Sequence, residues 1–307
     1  MIGTQEIQEC LKGESEINLQ DHMTNCTKNP GHTAFIPVNK FSLDNLPNGY
    51  KDKYFVKVTQ ALSDLTVRVA VNFVSPRRPE FIPGTQEHYA GYKSRGQNLL
   101  MTGTGRIYQV IQNNEGVYGN RACPCPECDL SGTPSKVWWE VEVRTARHVV
   151  FDESEVKQSS CRLWFDDDNS PVVKIYGWEV GDFSTEEDSC GLYYVTHELH
   201  IAKTLERMLA KFLDVSKNLS VRRQGSDLDK LTIIVSHPHG CSKQVSVGQW
   251  MKREELRTYL TRFTYTNCTC PGSSGAQVYR RGWALAHHPH STALSDGLNS
   301  GMVRWEG

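Results

Sequence analysis

The residues of this chain whose types and spacing can do chemistry fall in three places. Cys268-Thr-Cys-Pro-Gly-Ser-Ser-Gly-Ala276 sets a serine pair between two glycines. So much Gly, Ser and Pro argues against a helix or strand interior, and a backbone that turns this tightly presents a serine rather than packing it. Alone, the stretch reads as a surface loop or as a turn that offers a nucleophile. Cys123-Pro-Cys-Pro-Glu-Cys128 holds three cysteines on a proline-enforced turn. Cys123, Cys125 and Cys128 could give three thiolates to a structural zinc, with Cys161 completing a tetrahedral set. The plainer reading is a rigid loop of free thiols, because the usual pair of CxxC knuckles is absent. Thr145-Ala-Arg-His148 puts a histidine at the turn that closes a strand. Cys10, Cys26 and His32 could be metal ligands, but their irregular spacing favours adventitious residues and no role is assigned, and His237, His239 and Cys241 could be ligands but read better as a structural turn around Pro238 and Gly240.

The elements that must position these groups are mostly strands. Leu65–Val74 alternates apolar with polar or small residues, Gly103–Ile111 is entered through glycines, and Val137–Val143 alternates again. Further strands are expected at Cys161–Phe165, Val172–Trp178, Cys190–Thr196, Leu231–Ser236, Val245–Val247, Tyr259–Tyr265, Ala276–Tyr279, Trp283–His287 and Met302–Trp305. Between His197 and Lys217 the period switches, and Leu199, Leu205, Met208, Leu209, Phe212 and Leu213 fall mostly on one helical face. Two blocks of short strands with one long helix between them predict an all-β protein of two barrels or sandwiches.

Bulk properties exclude little beyond this. The 307 residues can bury a large core, and 34 basic against 35 acidic residues give a net charge of −1, with no electrostatic reason to expect a nucleic acid or membrane partner. No stretch approaches the roughly 20 apolar residues of a membrane span, and Met-Ile-Gly-Thr-Gln-Glu lacks the pattern of a signal peptide. A cytoplasmic protein is expected, in which the ten cysteines stay as free thiols or metal ligands.

Four landmarks, in order, resemble the trypsin-like serine peptidase family. Gly103-Thr-Gly-Arg-Ile is similar to its glycine-led second strand, and Thr145-Ala-Arg-His148 to its TAxH turn. Val235-Ser-His-Pro-His-Gly240 is similar to the first strand of its second barrel, and Cys270-Pro-Gly-Ser-Ser-Gly275 to its CxGxSG nucleophile turn. The resemblance covers roughly residues 54–307. It implies two six-stranded antiparallel β-barrels of chymotrypsin type, with the long helix in the connection between them. The division expected is an N-terminal extension over 1–53, a first barrel over 54–196, a helical linker over 197–229 and a second barrel over 230–307.

The resemblance also implies roles. Ser274 is the nucleophile, His148 its general base, and the backbone N–H groups of Gly272 and Ser274 form the oxyanion hole. The third member lies at the start of a DxAxL-like strand, which Asp188-Ser-Cys-Gly-Leu fits best, with Glu187, Asp182 and Asp229 as competitors. Relatives that prefer Glu or Gln at P1 carry a threonine five residues before the nucleophile, matched by Thr269, and a histidine on a later strand. His287 is the first choice for that histidine, with His288 and His290 as alternatives. Cys268 stands where an aspartate would confer Arg or Lys preference. Ser273 replaces the aspartate that receives a newly cleaved N-terminus, so the uncleaved chain is expected to be competent. The function implied is an intracellular serine endopeptidase acting on a protein or peptide through an acyl-enzyme, needing no cofactor for the chemistry. The alternative is a catalytically silent trypsin-like domain that serves as a protein-binding module.

Overall fold

The computed structural model describes residues 3–113, 122–222, 230–281 and 286–304. The strands in chain order are β1 (Thr4–Gln5), β2 (Gln8–Glu9), β3 (Ile36–Pro37), β4 (Thr66–Val71), β5 (Met101–Asn113), β6 (Trp138–Thr145), β7 (Ser159–Leu163), β8 (Val173–Ser184) and β9 (Ser189–Thr196). They continue with β10 (Leu231–Ser236), β11 (Gln244–Arg257), β12 (Leu260–Tyr265), β13 (Val278–Arg280), β14 (Thr292–Ala293) and β15 (Asn299–Arg304). The helices are α1 (Leu19–Thr24), α2 (Lys53–Leu65), α3 (Pro126–Ser131), α4 (Glu153–Val156) and α5 (Leu199–Arg222).

The chain is mostly β, in two sheets. In the first, β5, β4, β7, β8, β9 and β6 pair antiparallel in that order, and β6 pairs back onto β5, which closes a six-strand barrel. The second runs β1-β14-β15-β12-β11-β10-β13, with β3 on the side of β11. Alternation in β4 predicts one buried face, yet all its positions are buried. Val67, Val69 and Val71 point into the main core, while Ala70 packs with Cys10, Leu19 and Cys241, and Arg68 pairs with Glu16 at 2.8 Å. The N-terminal residues supply that cover.

Residues 1–53, expected to precede the fold, are built into it over the described part. β1 joins one sheet, β2 joins the other through β5, and β3 joins β11. Helix α2 was not expected either. Asp52 caps it, accepting from Tyr54 N at 2.9 Å, and Phe55, Val58, Ala61, Leu62 and Leu65 bury one stripe. Each such side chain contributes about 1.5–3 kcal/mol, Ala61 less, and the stripe joins Ile201, Leu205 and Phe212 of α5 in one core with Ile233 and Val235 of β10. The strand expected at Trp283–His287 and the competitor Asp229 fall wholly or partly outside the described residues.

Candidate active site

Strand β5 and the turn after β12 build the site together. Thr104 N donates to Ser274 O at 2.8 Å, Thr104 Oγ1 donates to Gly272 O at 2.8 Å, and Thr104 O accepts from Thr145 Oγ1 at 2.7 Å. One threonine thus ties the serine turn to the strand that leads into His148. The turn needs its glycines. Gly272 has φ +93°, and a Cβ there would lie 2.6 Å from His237 O; Gly275 has φ +87°, and its Cβ would lie 2.0 Å from Thr145 Oγ1.

The two serines take different tasks. Ser273 Oγ accepts from Ser236 Oγ at 3.1 Å and from Cys270 N at 3.2 Å, so it holds the turn. Ser274 Oγ is buried with no hydrogen-bond partner among the described residues, and so is His148 Nε2. The other ring nitrogen of His148 is held: Nδ1 lies 2.6 Å from Asp188 Oδ2, while His148 N donates to Asp188 Oδ1 at 3.0 Å. Asp188 has φ +50°, in the left-handed region that costs most side chains energy, and Ser291 Oγ donates to its Oδ2 at 2.5 Å. Ser291 comes from a separate stretch with no motif of its own, so no sequence signal points to it. Glu187 pairs with Arg304 instead, and the side chain of Asp182 lies by Gly191.

His148 is further fixed from behind. Arg78 Nη1 donates to His148 O and to Ala90 O, both at 2.8 Å. Its Nε and Nη2 make a bidentate pair with Glu155 at 2.7 Å each, and both side chains are fully buried.

A stretch of the chain itself covers the site. Gly272 N donates to Glu6 O at 3.2 Å, and the Glu6 carboxylate Oε2 lies 2.5 Å from Lys28 Nζ, 3.3 Å from Thr269 Oγ1 and 3.9 Å from His290 Nε2. Thr269 and His290 therefore face one carboxylate. His287 does not join them: it lies among Thr145, Arg106 and Arg144, and burial with those two guanidinium groups pushes its pKa well down. The register accounts for this placement. Val278 N donates to His288 O, His290 N to Ala276 O and Gly275 N to His290 O, so the segment beside the serine turn is centred on 288–290. Tyr265 OH lies 2.9 Å from His290 Nδ1, which leaves Nε2 facing Glu6. Burial, with Lys28 and His148 nearby, holds His290 well below the usual histidine range. Lys28 was missed because a lone lysine in a polar stretch carries no signal.

The cysteine cluster gathers a histidine in place of the expected Cys161. Cys123, Cys125 and Cys128 Sγ lie 3.8, 3.3 and 3.5 Å from His197 Nδ1. Cys161 sits in β7 opposite Val69 and Ile175, fully buried in the barrel core, because the strand's alternation aims it inward. It is not grouped with the trio, whose fourth neighbour is His197. Burial pushes the Cys123 and Cys125 thiols up.

All ten cysteines are free, and among the described residues no helix is long and apolar enough to cross a membrane. No protein-family model matches the chain, and no curated protein does. Among solved structures, the chain is similar to the active form of Rv3671c protease from M. tuberculosis, at 12% identity and TM-score 0.43 over 81% of this chain and 79% of that one. It is similar to the HtrA-type protease AlgW with decapeptide, at 13% identity and TM-score 0.42 over 82% of this chain and 64% of that one. The inactive form of Rv3671c protease aligns at 11% identity and TM-score 0.40, over 81% of this chain and 87% of that one.

Proposed function

We propose that this chain is a trypsin-like serine endopeptidase with Ser274 as nucleophile, His148 as general base and Asp188 as the carboxylate that orients the imidazole. The observation that carries the reading is that Ser274 Oγ and His148 Nε2, both buried, are left without partners beside a turn whose Gly272 N–H holds a peptide carbonyl. A free oxygen and a free ring nitrogen are what acyl transfer uses. His148 accepts the serine proton as Oγ attacks the carbonyl carbon, and the N–H groups of Gly272 and Ser274 stabilise the oxyanion. His148 then gives the proton to the leaving amine, and water repeats the sequence in reverse to release the acid. Asp188, bonded to Nδ1–H, keeps Nε2 as the acceptor and stabilises the imidazolium as it forms.

The preference proposed is Glu, and then Gln, at P1. Lys28, Thr269 and His290 converge on one carboxylate, and the position that would carry an anion for a basic P1 is Cys268. The domain reading proposed is a first barrel over 54–196, a linker containing α5 and a partner barrel over 230–307, with residues 1–53 contributing to both sheets. A structural zinc held by Cys123, Cys125, Cys128 and His197 is proposed, supported by the grouping of the four ligand atoms and by Ser135 N, which lies 3.4 Å from Cys128 Sγ. Ten unpaired thiols support an intracellular setting.

The silent binding module draws on one observation, that no hydrogen bond joins His148 Nε2 to Ser274 Oγ. Labelling by a fluorophosphonate probe separates the readings. The wild-type chain is labelled and Ser274→Ala is not; a folded wild-type chain that resists labelling at every pH tested overturns the peptidase. A peptide panel showing P1 Arg or aromatic preference overturns the specificity.

A further inference from the structure

We infer that the chain's own N-terminal segment is a substrate of this site, and that the bond cut is Glu6–Ile7. The inference rests on the peptidase reading and adds a specific target to it. Residues 4–9 cross the site and are paired as strands on both sides of it. Thr4 and Gln5 pair antiparallel with Ala293 and Thr292 of β14, and Gln8 and Glu9 pair antiparallel with Thr102 and Met101 of β5. A peptide added to two sheet edges in this way is held by main-chain bonds, and pockets select its side chains. Between the paired halves lies Glu6, its carbonyl oxygen on Gly272 N at 3.2 Å and its carboxylate among Lys28, Thr269 and His290. Ile7 follows, buried in the main core. His148 and Ser274 are both 0% exposed in this state.

The step balances without any co-reactant but water. Ser274 Oγ bonds to the Glu6 carbonyl carbon as the Glu6–Ile7 C–N bond breaks, and the serine proton passes through His148 to the Ile7 nitrogen. Water then splits the ester, leaving a Glu6 carboxylate and a free Ile7 amine. After the cut the described part of residues 1–6 keeps β1, the Glu6 contacts and Gln5 Oε1, which accepts from Ala90 N at 3.1 Å, but it loses its covalent tie, so it can leave and open the cleft to other chains. Residues 7–9 stay, anchored by the burial of Ile7 and by β2. Ser273 stands where a carboxylate would otherwise receive the new amine, so the cut clears the cleft rather than building an ion pair.

The test is the mass of the full-length chain together with fluorophosphonate labelling. Wild-type chain starting at Ile7, with Ser274→Ala and Glu6→Lys intact, is the expected result. Ser274→Ala kept intact when mixed with wild type supports cutting within one chain, because its segment stays in its own cleft; rapid cutting in the mixture overturns that. A wild-type chain that is labelled at Ser274 and hydrolyses a P1 Glu peptide yet keeps residues 1–6 overturns the inference and leaves the peptidase standing. A folded chain with neither labelling nor hydrolysis overturns both.

A second, independent observation concerns Cys26, His32, His239 and Cys270, and the geometry points to a zinc site there. The ligand atoms lie within 4.8 Å of one another. Cys26 Sγ is 3.6 Å from Cys270 Sγ, and Cys270 Sγ is 3.5 Å from His32 Nε2. Tetrahedral Zn–S and Zn–N bonds of about 2.3 and 2.0 Å give ligand edges of roughly 3.5–3.8 Å. The surroundings match as well. His239 Nδ1 lies 2.8 Å from Gln8 Oε1, a partner that holds the ring proton there and leaves the buried Nε2, which has no partner, to face the cluster. Asn29 Nδ2 donates to Cys270 Sγ at 3.0 Å and Asn29 N to Cys26 Sγ at 3.4 Å, as N–H groups do around metal thiolates. His32 and His239 have φ of +50° and +55°; with Asp188, they make three of the four described non-glycine residues at positive φ. Such a zinc would staple the loop carrying Lys28 to the serine turn.

Zinc per chain and the spectrum of the Co²⁺-substituted protein test it. The expected result is two equivalents of zinc, with one lost in Cys26→Ser or His32→Ala and the other in Cys125→Ser, and tetrahedral cobalt bands with a thiolate charge-transfer band in Cys125→Ser. Full zinc content in Cys26→Ser and His32→Ala, or a Cys26–Cys270 disulfide in the protein purified under reductant, overturns it.

Discussion

Asp188 grips His148 with both carboxylate oxygens, Oδ2 on the ring Nδ1 at 2.6 Å and Oδ1 on the backbone N at 3.0 Å. One side chain therefore sets the ring's tautomer and the position of the residue that carries it. Asp188→Asn keeps the shape but offers an amide where the ring needs an acceptor, which favours the wrong tautomer. The expected loss in kcat is roughly 10⁴-fold, with KM for a P1 Glu peptide little changed. A loss smaller than about tenfold would mean that another carboxylate orients the ring.

The Lys28 ammonium lies 2.5 Å from the Glu6 carboxylate. Lys28 is about one-third exposed, so water weakens the attraction. Lys28→Met is expected to lower kcat/KM for P1 Glu by about tenfold while leaving P1 Gln nearly unchanged, because only the charged side chain loses a partner. Equal losses for Glu and Gln would make Lys28 a support of the loop and not a reader of charge.

Much of this site was legible in the sequence because tight turns leave residue-type signatures. A serine pair between two glycines and a histidine closing a strand are local facts of the sequence, and the ordered resemblance to the trypsin-like family is what joined Gly272, Ser274 and His148 into one candidate site. What was not legible depends on distant chain segments meeting. Ser291 reaches Asp188 across 103 residues, His197 and not Cys161 stands beside the cysteine trio because alternation turns Cys161 inward, and the segment register brings His290 and not His287 to the Glu6 carboxylate. Helix α2 was legible in principle, since Phe55, Val58, Ala61, Leu62 and Leu65 repeat at helical spacing; the strand that follows at once obscured it. Residues 1–53 lacked any periodic pattern because their contribution is made in two-residue strands and single ligands.

Arg78 and Glu155 form a fully buried bidentate pair, and Arg78 also holds the carbonyl of His148. Removing one partner leaves the other charge buried, with Glu155 still accepting from Ser75 N and Phe151 N. Arg78→Met is expected to cost about 3–5 kcal/mol in urea unfolding, and Arg78→Met with Glu155→Leu to recover part of it. A single variant costing under about 1 kcal/mol would show that water reaches the pair.

Stability against acid should be set in part by His288 and His290, both buried and held well below the usual histidine range. Burial is the main cause in each; Arg280 adds to it at His288, and Lys28 and His148 add to it at His290, where the Glu6 carboxylate and Tyr265 are the other groups facing the ring. A histidine neutral in the fold and titrating near 6.5 when unfolded takes up a proton on unfolding only below that pH. The unfolded chain then binds more protons, so stability rises with pH across the window. The contribution is fully present above about pH 7 and falls by about 1.4 kcal/mol per pH unit for each histidine as pH drops below about 6.5, until the folded pKa is reached. Urea midpoints at about pH 7.5, 6 and 5 would read the slope, and His288→Leu should reduce it by one histidine's share. A slope unchanged in that variant would mean that His288 is protonated inside the fold, against the burial and the nearby Arg280 that oppose its charge.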